Sequence, residues 1–223
     1  MTGFITPQLA KLPLAQRQLW AQLGALVGQG FVLQGGTAIA LRLGHRDSLD
    51  FDFFTEPPLH RASLRSALPL LATSSILQDE PDSFTALLGL PAGEVKVSFF
   101  GSIAFGRVGV PDTTQDGIAV IASLRDLLAQ KLKVLMQRVE AKDYQDVSAI
   151  VRSGVSLEEG MAGAMALFGP NFSPMECRKA LVHFQGGDLA SLQNSDRTTL
   201  LAAVRALPNK ESLPLPLLST SLS

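Results

Sequence analysis

The run Asp50-Phe51-Asp52-Phe53 is the feature that most constrains how this chain folds. Successive side chains of a strand point to opposite faces of a sheet, so the two carboxylates share one face and the two rings share the other. Carboxylates that converge in this way are the oxygen ligands that divalent cations such as Mg²⁺ prefer. The same alternation is also typical of a half-solvated strand whose polar face meets water.

A second pattern lies just upstream of this strand. The apolar residues Phe31-Val32-Leu33 predict a short strand, which Gly35-Gly36 ends. The run that begins at Thr37 then favours a helix ending at Gly44. A glycine turn at a helix N-terminus lets phosphate oxygens approach the backbone, and Thr37 is placed to cap the helix or to donate its hydroxyl to a phosphate. An ordinary tight turn with a threonine cap has the same sequence, so the turn alone leaves both interpretations open.

A third pattern places cations at helical spacing in the later part of the chain. Apolar residues recur with a helical period over residues 123–139. Lys131 and Arg138 are seven residues apart and are predicted to share one helix face, which Lys142 extends if the helix continues that far. Such a row could neutralise triphosphate oxygens if it faced the acidic strand. A solvated helix face with an exposed Lys142–Asp146 ion pair explains the spacing equally well.

Composition narrows the remaining classes of function. The chain has 223 residues, 46% of them hydrophobic, which is enough for one substantial core or two small ones. Its net charge of −1 lacks the basic excess of sequence-independent nucleic-acid binding, so any RNA contact would need a local patch. The single cysteine and three scattered histidines argue against a disulfide or a structural zinc site. Without a signal segment or an apolar run long enough to cross a bilayer, we expect a cytoplasmic protein with no membrane partner.

The order of predicted elements indicates an α+β fold. Strands and helices alternate in the first two thirds of the chain, and the elements predicted after residue 122 are all helices. We therefore expect a mixed β-sheet core followed by a helical C-terminal subdomain. The expected divisions are residues 1–122 for the core, 123–207 for a helical subdomain that completes a cleft, and 208–223 for a loose tail. The predicted helices are 14–27, 60–71, 123–139, 143–152, 157–168, 174–184 and 196–206, and the predicted strands are 31–33, 49–54, 75–77, 84–88, 94–100 and 118–121.

The segment from residue 35 to residue 54 resembles the signature of the AbiEii/AbiGii-type nucleotidyltransferase toxins, a branch of the DNA polymerase β-like nucleotidyltransferase superfamily. In that family a Gly-Gly/Ser-Thr turn precedes an Arg-x-Ser-x-Asp-x-Asp strand. The matching residues here are Gly35-Gly36-Thr37 and Arg46-x-Ser48-x-Asp50-x-Asp52. A second family element is similar to Lys131-Leu132, Arg138 and Lys142-Asp143-Tyr144-Gln145-Asp146. The resemblance covers residues 31–152.

The resemblance implies a nucleotidyltransferase-like fold and a Mg²⁺- or Mn²⁺-dependent transfer from a nucleoside triphosphate. The acceptor would be an RNA end, with tRNA the leading candidate, or a protein side chain. The protein would be the toxin of a toxin–antitoxin or phage-defence pair, with a cognate antitoxin as partner. The implied catalytic residues are Asp50, Asp52, Lys131 and Lys142, of which Asp50 and Asp52 are the metal ligands, and the implied nucleotide-binding residues are Gly35, Gly36, Thr37, Arg46, Ser48 and Arg138.

One departure from the superfamily pattern concerns a third carboxylate. Many members carry it on a later strand, and in the predicted strand 94–100 Ser98 stands where an aspartate is expected. Alternation places Glu94, Lys96 and Ser98 on one face of that strand. Glu94 or another group could complete the site, or two carboxylates could suffice. A catalytically silent nucleotide-binding or interaction module, or a phosphotransferase of the same fold, remains an alternative.

Overall fold

The computed structural model describes residues 3–208 and 214–222, which divide into two compact units. The first unit, Met1–Gly106 with Val110–Ser123 and Thr220–Ser223, contains the sheet, and the second, Arg107–Gly109 with Leu124–Ser219, is helical. The strands are β1 (Gly3–Ile5), β2 (Val32–Gln34), β3 (Phe51–Phe54), β4 (Ser75–Glu80), β5 (Ser83–Leu90), β6 (Gly93–Phe100), β7 (Asp112–Thr114) and β8 (Val120–Ile121). The helices are α1 (Leu14–Trp20), α2 (Gly35–Leu43), α3 (Arg61–Ala67), α4 (Leu124–Leu135), α5 (Ala141–Arg152), α6 (Leu157–Phe168), α7 (Pro174–Val182) and α8 (Asn194–Arg205).

The strands form one mixed sheet in the order β1-β7-β8-β2-β3-β6-β5-β4, which confirms the predicted α+β class. Strand β3 lies inside the sheet, antiparallel to β2 and parallel to β6. Its two rings, Phe51 and Phe53, are fully buried, and Phe53 stacks on Phe99 of β6 with ring centroids 5.8 Å apart. The apolar face of the sheet is therefore the core of the first unit, and the acidic face of β3 is left for other contacts.

Two predicted helices of the first unit are shorter than expected. The segment 14–27 is interrupted after Trp20 and continues as a 3-10 helix, Leu23–Gln29, that contains Gly24 and Gly28. Glycine lowers helix propensity, which explains the change. The segment 60–71 ends as an α-helix at Ala67, since proline at position 69 disfavours a helical conformation in the residue before it. The very short strands β1 and β7 were not predicted.

The predicted single helix over residues 123–139 is wrong at its C-terminal end. Helix α4 ends at Leu135, so Arg138 lies in the connection to α5 and Lys142 lies in α5 itself. The three cations therefore do not form one helical row. The backbone N–H of Ala141 donates to the Asp188 carboxylate over 2.6 Å, which caps the start of α5. The sequence pattern already predicted a break before residue 143, and the bond to Asp188, a residue distant in sequence, stabilises the earlier start of α5 at Ala141.

The described part of the C-terminal segment is anchored by backbone hydrogen bonds. In the helical unit, Leu215 N–H donates to the Ala162 carbonyl over 3.1 Å, and Leu218 N–H donates to the Arg107 carbonyl over 2.9 Å. Residues 209–213 and 223 of the predicted loose tail lie outside the described residues. In the part of the chain that the structure describes, none of the helices has the length and hydropathy needed to cross a membrane.

Candidate active site

Three polar side chains form a row across neighbouring strands of the first unit. Asp52 is in register with Gln34 of β2 on one side and with Ser98 of β6 on the other. Residues in register on adjacent strands present their side chains to the same face. Gln34 and Ser98 are buried, whereas Asp52 is half-buried, so Asp52 is the member of the row that solvent reaches.

The glycine turn lies directly against the Asp52 carboxylate. Gly35 has φ of 72°, a left-handed conformation that favours glycine. A Cβ atom at this position would lie 2.7 Å from Asp52 Oδ2. The Asp52 carboxylate therefore sits at the N-terminus of α2, where unpaired N–H groups and the helix dipole favour negative charge.

Arg46 and Ser48 reach the same helix N-terminus. A Cβ atom at Gly36 would overlap the Arg46 guanidinium and would lie 3.4 Å from Ser48 Oγ. The family resemblance assigns all three residues to nucleotide binding, and the structure brings them together. The absence of a side chain at Gly36 thus makes room for Arg46 beside the backbone of α2.

The Thr37 hydroxyl ties the start of α2 to the segment that carries the acidic residues. It is buried, lies 2.7 Å from Ser48 Oγ and donates a hydrogen bond to the Asp50 carbonyl oxygen. These internal bonds make Thr37 a residue that positions Ser48 and Asp50. The interpretation of Thr37 as the helix cap is wrong, because α2 begins at Gly35 and its N-cap residue is Gln34. Its predicted contact with a phosphate stays a prediction.

Lys96 is a site residue that belongs to neither sequence motif. Its Nζ lies 3.0 Å from Asp50 Oδ2, and the two side chains are 40% and 41% exposed. Asp50 precedes Asp52 by two residues and Lys96 precedes Ser98 by two, so the parallel register places them side by side. Strand alternation predicts that Lys96 lies on the same face as Ser98. The contact with Asp50 could not be predicted, because it depends on the register of β6 against β3.

The donor atoms of this face suit a divalent cation, although a three-carboxylate site is not formed. Among the described residues no group of three or more His, Cys, Asp and Glu side chains is placed to hold a metal ion. Glu94 is exposed and pairs with Gly89, and it lies four residues from Ser98, or about 13 Å along the strand. Glu94 therefore does not complete the site beside Asp52. Asp50 and Asp52 still offer half-exposed carboxylate oxygens, the ligand type that Mg²⁺ and Mn²⁺ accept.

The second family element forms a buried charge cluster within the helical unit. Lys131 Nζ lies 2.6 Å from Asp143 Oδ1 and 2.7 Å from Asp146 Oδ2, and all three side chains are buried. Arg138 donates from Nε to the other oxygen of Asp143 over 2.8 Å. Burial alone would raise the pKa of Asp143, but the hydrogen bond from Arg138 and the charge of Lys131 outweigh it and hold the pKa below its ordinary value.

Lys142 is linked to this cluster through Glu140, since Glu140 Oε1 also lies 3.6 Å from Arg138 Nε. Lys142 Nζ pairs with Glu140 Oε2 over 2.8 Å, and its side chain is 48% exposed. The alternative of an exposed Lys142–Asp146 ion pair is wrong, because Asp146 is fully buried and bonds Lys131. The two lysines of the predicted cationic row thus have different surroundings, one buried between carboxylates and one exposed.

Comparisons with known proteins bear on the family and the fold of this chain. Residues 19–174 match the family model described as nucleotidyl transferase AbiEii toxin, type IV toxin–antitoxin system. An uncharacterised protein of Aquifex aeolicus (strain VF5) is 32% identical over 155 residues, which cover 68% of this chain and 73% of the relative.

Two solved structures share the fold at low sequence identity. One is an H. pylori protein assigned as a nucleotidyltransferase, with a TM-score of 0.57 and 16% identity over 86% of this chain and 92% of that one. The other is the nucleotidyltransferase toxin MenT4 from Mycobacterium tuberculosis, with a TM-score of 0.59 and 12% identity over 89% of this chain and 85% of that one. The predicted nucleotidyltransferase-like fold is thereby confirmed, and with the family model matching most of its length the chain belongs to the AbiEii nucleotidyl transferase toxin family.

Proposed function

We propose that this family member transfers a nucleotidyl group from a nucleoside triphosphate to an RNA end, with Mg²⁺ or Mn²⁺ as cofactor. The observation that supports this most directly is the position of Asp52 against the glycine turn that starts α2. A cation held by the carboxylates of Asp50 and Asp52 would neutralise charge on the triphosphate. The turn offers backbone N–H groups for phosphate oxygens at the same place.

Arg46 and Ser48 give this turn the chemistry of an anion site. The Arg46 guanidinium packs against Gly36 at the N-terminal end of α2, where the helix dipole is positive. A guanidinium at that end lies beside the backbone N–H groups of the helix start, and both kinds of donor suit a phosphate oxygen. Arg46 presents several N–H donors in a fixed plane, which suits phosphate oxygens.

The helical unit supplies the remaining candidates for the reaction. Lys131 is held by Asp143 and Asp146, so these two carboxylates orient its ammonium and are already engaged by a cation. Contacts of Lys131, Lys142 and Arg138 with the triphosphate remain part of the proposal, as the family element implies. We further propose tRNA as the leading acceptor, a cognate antitoxin as partner and the cytoplasm as location.

A silent nucleotide-binding module is the second candidate function, and a specific observation favours it. Ser98 replaces the expected third carboxylate beside Asp52, and Lys96 already pairs with Asp50. A site with fewer carboxylates binds metal ions less strongly, so a chain with this site could bind nucleotide without transferring it.

Labelled triphosphates separate the candidate functions. The protein is incubated with Mg²⁺, total RNA and nucleoside triphosphates labelled at the α or the γ phosphorus. Label from the α position on RNA supports nucleotidyl transfer, label from the γ position on any acceptor indicates a phosphotransferase, and no transfer with retained triphosphate binding indicates the silent module. A folded Asp50→Asn, Asp52→Asn double variant is the control, and we expect it to lose metal-dependent triphosphate binding. Unchanged binding in that variant would contradict the metal assignment.

A further inference from the structure

The side-chain oxygen of Gln34 is a buried acceptor that the two family elements leave without a role. Gln34 is 1% exposed, and its Oε1 has no hydrogen-bond partner among the residues that the structure describes. Buried polar atoms are almost always hydrogen-bonded, and an acceptor left unpaired destabilises the fold. The Gln34 oxygen therefore needs a hydrogen-bond donor or a cation that the described residues do not provide.

The position of Gln34 indicates where that partner would bind. Gln34 is in register with Asp52, so the two side chains lie on the same face of adjacent strands. The Asp52 carboxylate lies close to the residue that follows Gln34, since its Oδ2 is 2.7 Å from the position that a Cβ of Gly35 would take. An amide oxygen and a carboxylate are both acceptors and cannot bond each other. A cation beside Asp52 would give the amide oxygen the partner that it lacks.

The other side of Asp52 strengthens this assignment. Ser98 provides only a hydroxyl where the superfamily pattern has a carboxylate, and Glu94 is too far along β6 to replace it. The charge of Asp50 is already countered by Lys96 over 3.0 Å. Uncharged amide oxygens are accepted ligands of hard divalent cations. In this row, Gln34 Oε1 is the buried amide oxygen that could bind such a cation.

We propose that Gln34 Oε1 is an oxygen ligand of the divalent cation bound at Asp52. This proposal rests on the proposed function, because it assumes that Asp52 binds a cation. It adds a ligand that precedes the glycine turn and belongs to neither family element. The ligand set at Asp52 would then be one carboxylate and one amide, with the amide replacing the carboxylate that is missing at Ser98.

Binding of Mn²⁺ to the nucleotide-free protein tests the proposal. The loss of the free Mn²⁺ signal in electron paramagnetic resonance gives the dissociation constant for the wild type and for Gln34→Met, which keeps the length of the side chain and removes the oxygen. We expect Gln34→Met to bind Mn²⁺ about tenfold more weakly, the lower end of the loss seen when a supporting group of a metal site is removed. Wild-type affinity in a folded Gln34→Met protein would overturn the proposal.

Two more variants make the result specific. Thr55→Val is the matched control, because Thr55 Oγ1 is also buried without a partner among the described residues but lies beyond the far end of β3. We expect it to bind Mn²⁺ like the wild type. Gln34→Glu places a carboxylate at the same reach and should bind Mn²⁺ more tightly than the wild type, whereas a purely structural glutamine would give no gain. If Gln34→Met does not fold, Gln34→Glu decides, and equal or weaker binding overturns the proposal.

Failure of this inference can be told from failure of the proposed function. Asp52→Asn is measured in the same titration. If Asp52→Asn loses Mn²⁺ and Gln34→Met does not, Gln34 is not a ligand but the metal assignment stands. If Asp52→Asn binds Mn²⁺ like the wild type, both the metal assignment and the role of Gln34 are wrong.

Discussion

Gly35 combines a left-handed backbone with close contact to Asp52. Its φ of 72° favours glycine, and a Cβ would lie 2.7 Å from Asp52 Oδ2. We expect Gly35→Ala to lower the free energy of unfolding by about 1–3 kcal/mol and to displace the carboxylate, so that Mn²⁺ binds more weakly.

Gly117→Ala separates the two effects of that substitution. Gly117 has a φ of 71°, but a Cβ there would meet no described atom within 4 Å. We expect it to lower stability by chemical denaturation through backbone strain alone and to leave Mn²⁺ binding unchanged. Equal Mn²⁺ affinity in both variants would show that the contact of Gly35 with Asp52 is unimportant.

Lys131 and Lys142 should differ strongly in their contribution to stability. Replacing Lys131 by Met would leave Asp143 and Asp146 buried without the cation that bonds both, and we expect a loss of about 3–5 kcal/mol. Lys142→Met removes an exposed pair with Glu140 and should cost at most about 1 kcal/mol. Urea denaturation of both variants measures the difference, and similar losses would contradict the buried cluster. Loss of triphosphate binding in Lys131→Ala can therefore be assigned to a direct contact only in a variant shown to be folded.

At the scale of elements, one hydroxyl joins α2 to the segment that leads into β3. Thr37 bonds Ser48 and the Asp50 carbonyl, so α2, the connection after it and the acidic strand are fixed to one another. Thr37→Val keeps the shape of the side chain and removes both bonds. We expect a loss of about 1–3 kcal/mol in unfolding free energy and weaker Mn²⁺ binding through a less ordered Asp50. The exposed Thr73 donates a long hydrogen bond of 3.4 Å to the Leu70 carbonyl. Thr73→Val is therefore the control, and it should change neither quantity measurably.

At the scale of the whole molecule, buried groups restrict the pH range of stability. The pKa of Asp143 is held below its ordinary value of 3.8, so the stability it contributes is present above pH 3.8 and is lost as pH falls through the lower folded value. Burial raises the pKa of the Cys177 thiol from 9.0 to about 12. The stability that the buried, protonated thiol contributes is complete below pH 9.0 and is lost as pH rises toward 12.

Urea denaturation across the pH range tests this expectation. In a plot of the free energy of unfolding against pH, the alkaline arm should fall by about 1.4 kcal/mol per pH unit, because the folded state retains one proton on Cys177 that the unfolded state loses. Cys177→Ala should flatten that arm and leave the acidic arm unchanged, because the variant keeps the Lys131–Asp143–Asp146 cluster. The remaining alkaline slope would come from Tyr144, whose pKa is also raised, first by burial. An alkaline slope that Cys177→Ala does not reduce would contradict the role of the thiol.

The local elements of the site follow from the amino-acid sequence. Alternation along Asp50-Phe51-Asp52-Phe53 predicted a strand with buried rings, which is confirmed. The order strand, glycine pair, helix predicted β2 and α2 in the right order, but α2 begins at Gly35, so the glycine pair forms its first residues. These features depend on residues within one or two elements, whose periods and backbone preferences are visible in the sequence. For the same reason, the fold class followed from the order of its elements.

Contacts between side chains of different elements became visible only in the folded chain. The register of β6 against β3 places Lys96 beside Asp50 and Ser98 beside Asp52, and the register of β2 brings Gln34 to the same row. The cap of α5 by Asp188 and the burial of Lys131 between two carboxylates likewise depend on contacts between different segments. Strand register and helix packing are set by how whole faces bury their apolar area, and a local window of sequence does not contain that information.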